Sequence, residues 1–166
     1  MSSLSDELTT ARLVLPLITA EHVAAVSSGE RRPDWAPDFP ASGDLEIAGF
    51  LHRAGLPTGP AAAFSPRLVR ERDTGLVVGG AGFLGPPESG RVELGYGIVP
   101  SRRRRGYATE AAAALAAAAW SDPAVKEVFA LVEPDNPASA GVLLKAGFQP
   151  TGSEGGHSRY AVRRPA

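Results

Sequence analysis

The segment Val92–Glu110 reads Val-Glu-Leu-Gly-Tyr-Gly-Ile-Val-Pro-Ser-Arg-Arg-Arg-Arg-Gly-Tyr-Ala-Thr-Glu, and it constrains the fold more than any other stretch of the chain. Its pattern predicts a strand, a basic turn and a helix start in immediate succession. Such a junction leaves backbone groups free at the strand's carboxyl end and turns N–H groups inward. The helix beginning near Tyr107 adds its positive dipole end. A pyrophosphate-like anion is the natural guest of that arrangement. Between Tyr107 and Trp120 stand nine alanines, so propensity favours a helix whose small side chains let it lie close to a sheet.

The rest of the chain supplies the sheet. Residues 1–10 are polar and expected to be loose, and Arg12-Leu13-Val14-Leu15 predicts a strand ended by Pro16. A helix is expected over Ala20–Ser28 behind a Thr19 cap, and another over Asp44–Ala54 with Leu45, Ile47, Ala48 and Leu51 inward. Between them, Gly29–Asp44 carries three prolines and reads as an irregular loop. Three antiparallel strands are expected at Phe64–Arg72, Leu76–Leu84 and Arg91–Val99, joined by turns at Asp73-Thr74-Gly75 and Gly85–Gly90. A late strand at Glu127–Val132, a helix at Ala138–Ala146 closed by Gly147, and a last strand at Ser158–Val162 complete the order. The fold class expected is a mixed α/β (α+β) domain, residues 1–166, with a predominantly antiparallel central sheet flanked by helices.

Composition narrows the function. Seventeen basic and eighteen acidic residues give a net charge of -1, so no global field draws nucleic acid or an anionic membrane. Neither is expected as a partner. The chain has no cysteine, which removes disulfides, thiolate metal sites and cysteine nucleophiles. Without a readable signal peptide or long apolar span, the expected location is cytoplasmic. His22, His52 and His157 lack metal-ligand spacing, and no metal is expected.

Three separated blocks resemble the GNAT superfamily of acetyl-CoA-dependent N-acetyltransferases, in particular the ribosomal-protein N-terminal (Rim-type) branch. They are Thr9–Leu15, Glu93-Leu94-Gly95-Tyr96 through Gly106-Tyr107-Ala108-Thr109-Glu110-Ala111, and Asn136-Pro137-Ala138-Ser139 through Lys145-Ala146-Gly147-Phe148. Their order and spacing carry the likeness. Two departures stand out. The turn has Ser101 where the superfamily commonly has Arg or Gln, and Arg104 in place of the earlier glycine, with Gly106 kept. The opening block lacks the usual arginine after its second leucine, because Pro16 follows Leu15.

The resemblance implies that Ile98 and Val99 offer backbone hydrogen bonds to the pantetheine arm of acetyl-CoA, that Arg104, Arg105, Gly106, Tyr107, Ala108 and Thr109 surround its pyrophosphate, and that Asn136 holds the arm from the other side. Arg102 and Arg103 either touch the adenosine phosphate or form a solvated basic face. Amine acetylation needs a neutral nitrogen, a polarised thioester and a proton for the departing thiolate. Glu93 is the candidate base, the alternative being a structural acid. Ser139 is the candidate acid, the alternative being a helix-start serine, and Tyr96 or Tyr160 could donate instead. Glu110 is expected to complement the helix dipole. Trp35 and Asp38 lie in the loop that would border the acceptor, an amine of unassigned identity. The expected activity is direct transfer of acetyl to a primary amine, of a protein N-terminus or a small molecule, in a ternary complex. A catalytically inactive acyl-CoA sensor or scaffold is the alternative. A homodimer is compatible with the exposed edge strands of such a sheet.

Overall fold

Alternating burial along Arg91–Ile98 and Glu127–Val132 sets the frame, and small residues decide what packs on it. The computed structural model describes Leu4 and residues 7–166. In chain order the elements are β1 (Leu8–Thr9), β2 (Leu13–Leu15), α1 (Ala20–Ser27), α2 (Ser42–Ala54), β3 (Pro66–Glu71), β4 (Val77–Phe83), β5 (Arg91–Ile98), α3 (Tyr107–Ala119), β6 (Glu127–Val132), α4 (Pro137–Lys145), β7 (Gln149–Glu154) and β8 (His157–Arg163). Short 3₁₀ turns occupy Gly59–Phe64 and Pro100–Arg102.

The strands form one eight-stranded sheet in the order β1-β2-β3-β4-β5-β6-β8-β7. Every neighbouring pair is antiparallel except β5 and β6, which run parallel. The mixed, predominantly antiparallel sheet expected from sequence is present. Two expectations need correction. Of the opening stretch expected to be loose, residues 1–3, 5 and 6 lie outside the described residues, but Leu8–Thr9 pairs with Val14–Leu15 because Leu8 is buried against the core. The other concerns Leu45, which faces solvent while Ala48 and Leu51 take the inward positions of α2.

Parity sorts the two faces of the sheet. Tyr107 at the start of α3 bonds Glu71 of β3, and α3 also lies on β5, β4 and β2. Ala111, Ala112, Leu115 and Ala119 are fully buried there, and their size brings the helix axis close to the strands. Val92, Leu94, Tyr96 and Ile98 share that face by alternation. On the other face, Asp44 of α2 stands over Gly80, which pairs with Gly97. Glu93, Gly95 and Gly97 therefore face the α2 side. Among the described residues no helix is long and apolar enough to cross a membrane.

Candidate functional site

The sheet parts where the sequence placed its strand-turn-helix junction. Pairing of β5 with β6 covers only Arg91↔Glu127, Val92↔Val128 and Glu93↔Phe129. Beyond Glu93 the strands diverge, β5 staying with β4 and β6 with β8. Which backbone groups face the opening follows from the antiparallel ladder. Leu84 N donates to the Glu93 carbonyl (2.9 Å) and Val99 N to the Val78 carbonyl (2.9 Å). Odd-numbered residues of β5 therefore turn both groups toward β4, and Leu94, Tyr96 and Ile98 turn theirs toward the opening.

This corrects the expectation for Val99. Its N–H is held by Val78 and its carbonyl accepts from Arg102 N at 3.0 Å, so neither is open. At Ile98 the carbonyl accepts from Arg103 Nε at 2.9 Å, leaving its N–H toward the opening. The Glu93↔Phe129 pair takes up the Leu94 N–H, so the free edge of the strand lies at the Leu94 carbonyl and at Tyr96 instead.

The turn that follows has the geometry of an anion cradle. Arg104 takes a positive φ of 63° and Gly106 one of 83°. The arginine thus occupies the left-handed backbone position where the family pattern carries glycine. Glu110 N is bonded to the Gly106 carbonyl, so the N–H groups of Tyr107, Ala108 and Thr109 precede the helix ladder and are free to bind an anion. Thr109 Oγ1 reaches the Val142 carbonyl at 3.5 Å, tying α3 to α4. The residues present fit a pyrophosphate: free N–H groups, a helix dipole, and two exposed guanidinium groups at Arg104 and Arg105.

Two straps hold this turn, and the sequence had shown only one end of each. Beneath it, the buried carboxylate of Glu71 accepts from Tyr107 Oη at 2.7 Å, from Arg102 Nε at 3.1 Å and from Thr74 Oγ1 at 2.7 Å. Burial works to raise its pKa, but the hydrogen bonds from Thr74 and Tyr107 and the charge of Arg102 prevail and hold it below the ordinary value. At the side, Arg12 donates to the Arg105 carbonyl (2.7 Å) and to Glu110 (2.8 Å), and its guanidinium lies 4.8 Å over the Tyr107 ring. Glu110 also accepts from Thr10 and from Arg12 N. Arg102 is thus an internal ion-pair partner, neither a phosphate ligand nor a solvated face.

Across the opening, Asn136 caps α4 by accepting from Ser139 N at 3.2 Å. Tyr96 Oη lies 2.6 Å from Ser139 Oγ and 3.1 Å from the Ser139 carbonyl oxygen. The two candidate proton donors are therefore one hydrogen-bonded pair on the α3 face. Glu93, three residues from Tyr96, emerges on the opposite face at the point of divergence. Among the described residues its carboxylate makes no hydrogen bond or ion pair. Burial raises its pKa first, then the charge of Glu154, with His157 acting the other way. It lines a polar cavity of about 390 Å³ with Leu84, Arg91, Phe129 and Glu154.

The loop residues fall elsewhere. Trp35 is buried against His22 and Phe39, ring centroids 5.6 and 5.2 Å away, and Val77 N bonds the Asp34 carbonyl to stitch the loop to β4. It is a wall of the core and lines a small cavity of about 150 Å³ beside β3. Asp38 accepts from Ser101 N and Oγ at 2.8 and 2.7 Å, pinning the 3₁₀ turn before the arginines.

A family model for the acetyltransferase (GNAT) domain matches residues 12–149. The chain belongs to the GNAT acetyltransferase family. As a GNAT member it is an N-acetyltransferase. It is 33% identical over 140 residues to the uncharacterized N-acetyltransferase YjdG of Bacillus subtilis (strain 168), covering 81% of each chain. The acetyltransferase from Agrobacterium tumefaciens str. C58 superposes on this GNAT chain with a TM-score of 0.66 at 22% identity, over 96% of this chain and 95% of that one. Mycobacterium smegmatis RimJ in complex with CoA-disulfide does so with a TM-score of 0.60 at 20% identity, over 91% and 81%. Both structural likenesses show a shared fold.

Proposed function

We propose that this GNAT enzyme transfers acetyl from acetyl-CoA to a primary amine by direct attack in a ternary complex in the cytoplasm. The observation that carries the reading is the parting of β5 from β6. One opening has strand-edge amides beside it, an anion cradle at its end, and an unpaired carboxylate and a hydroxyl pair on opposite faces. The pantetheine amides suit the open edge at Leu94 and Tyr96, much as an added strand would. The pyrophosphate suits the turn from Arg104 to Thr109. That RimJ, which shares this fold, is in complex with CoA-disulfide supports a CoA guest here.

Glu93 takes the amine proton, directly or through a water, on the α2 face. Its raised pKa makes it a better proton acceptor than an ordinary surface carboxylate. The Tyr96–Ser139 pair supplies the proton that the departing thiolate needs. No covalent enzyme intermediate is required, since both substrates meet in one cleft. Acidic side chains on the acceptor face, Glu93, Glu154 and Asp44, favour a cationic amine.

Calorimetric titration of acetyl-CoA tests the reading, with Gly106→Trp as the variant. A tryptophan at φ 83° strains the turn, and even its Cβ would stand 3.2 Å from an Arg12 nitrogen. Saturable binding by the wild type that the variant loses, followed by amine-dependent release of CoA detected with a thiol reagent, is expected. The chain has no cysteine to react with that reagent. Absence of binding at millimolar acetyl-CoA would overturn it, and binding without turnover on any amine would favour a sensor.

A further inference from the structure

Glu71 ends β3 beneath the arginine turn, only 3% exposed, and no part of the chemistry above uses it. Its carboxylate oxygens gather donors from three places. Thr74 comes from the β3–β4 turn, Arg102 from the 3₁₀ turn before the cradle, and Tyr107 from the first residue of α3. Arg102 and Tyr107 bracket the segment 103–106, which contains both left-handed residues. A carboxylate bonded to both ends of so short a segment fixes the distance between them. It also neutralises Arg102 internally, while Arg105, 3.9 Å away and half exposed, and Arg104 stay available to an external anion.

We propose that Glu71 is a positioning residue for the nucleotide end of acetyl-CoA: through Arg102 and Tyr107 it sets the arginine turn in the conformation that presents its N–H groups to the pyrophosphate. This rests on the cofactor assignment made above. Glu71 touches no substrate. Its effect is confined to the part of the ligand that carries phosphate, and a carboxylate that served only the core would not discriminate between parts of one ligand.

The experiment compares acetyl-CoA with S-acetylpantetheine, which keeps the thioester and both amides but lacks the pyrophosphate and adenosine. Steady-state kcat/KM for each donor is measured with wild type, Glu71→Gln and Tyr107→Phe. Glutamine retains an acceptor for Tyr107 but cannot form the ion pair with Arg102. Glu71→Gln is expected to lower kcat/KM for acetyl-CoA at least ten-fold, through KM, and to change that for acetylpantetheine less than two-fold. Tyr107→Phe, which removes a single donor and keeps the ring under Arg12, is expected to show the same donor-selective loss at smaller size, and it decides the matter if Glu71→Gln does not fold. Equal losses with both donors, or none with either, would overturn the positioning role. If the wild type gains nothing from acetyl-CoA over acetylpantetheine, the pyrophosphate assignment itself fails, and this proposal with it.

Discussion

Tyr96 and Ser139 share a hydrogen bond of 2.6 Å across the opening between β5 and α4, although 43 residues separate them in sequence. A second contact to the Ser139 carbonyl leaves one hydroxyl proton directed along the pair and the other held by the backbone. If the pair delivers one proton, its members act as a unit. Tyr96→Phe and Ser139→Ala are each expected to lower kcat about 10²-fold, the lower end of what general acid catalysis contributes. The double variant should fall little further. Steady-state kinetics at saturating acetyl-CoA checks this; losses that multiply would mean independent roles.

Glu93 makes the opposite kind of contribution, as a free carboxylate. Glu93→Gln should lower kcat while leaving acetyl-CoA affinity intact, because its side chain lies away from the cradle. Burial and then Glu154 raise its pKa, so the rate should decline on acidification at a pH above the ordinary glutamate value. Glu154→Gln removes one raising influence and should move that decline to lower pH. A pH–rate profile of kcat/KM for the amine decides the point.

Arg104 separates stability from binding. A non-glycine residue at φ 63° carries backbone strain that glycine relieves, and Arg104→Gly is expected to stabilise by about 1 kcal/mol. For a chain of this size that corresponds to about 2–4 °C in Tm. The same change removes an exposed guanidinium beside the cradle and should weaken acetyl-CoA binding. Thermal unfolding and calorimetry on one variant read both effects, and a stabilised variant with undiminished affinity would show that the arginine serves neither phosphate.

Asp44 links α2 to pH. One of its oxygens caps the helix by accepting from Ala41 N at 3.0 Å, and burial raises its pKa from 3.8 to about 6, against the lowering effect of that bond. The folded state then holds this proton more tightly than the unfolded chain. Between pH 3.8 and about 6 its contribution to stability falls as pH rises, and above about 6 the full penalty is present. Asp44→Asn keeps a cap acceptor without the charge. It should be more stable than wild type at pH 8 by up to about 3 kcal/mol, with the difference vanishing below pH 4. Urea unfolding at both pH values measures it.

Most of the frame was legible because it was written in local patterns. The alanine run and the turn residues at Asp73-Thr74-Gly75 and Gly85–Gly90 that join three successive strands each specify structure without outside help. The strand β7 was missed because Gln149–Glu154 is exposed throughout and carries no apolar alternation; only its pairing with β8 makes it a strand. The cradle was legible from Gly106 and the arginines. Glu71 was not, since an acid at a strand end says nothing of the arginine and tyrosine that reach it from 31 and 36 residues away. Trp35 looked like an acceptor contact for a similar reason: an aromatic in a proline-rich loop gives no sign, in sequence alone, that the loop folds back onto β4.

The three-pair seam at Arg91–Glu93 also gives the molecule a mechanical character. Two half-sheets meet at a short clasp, and beyond it they behave as the blades of an open pair of shears, bridged on one side by the Tyr96–Ser139 bond. A guest lying along the free edge of β5 would act as a wedge that supplies the missing rungs. Occupancy should therefore register as stiffening: slower amide exchange at Tyr96 and Ile98, far from any change in the outer strands.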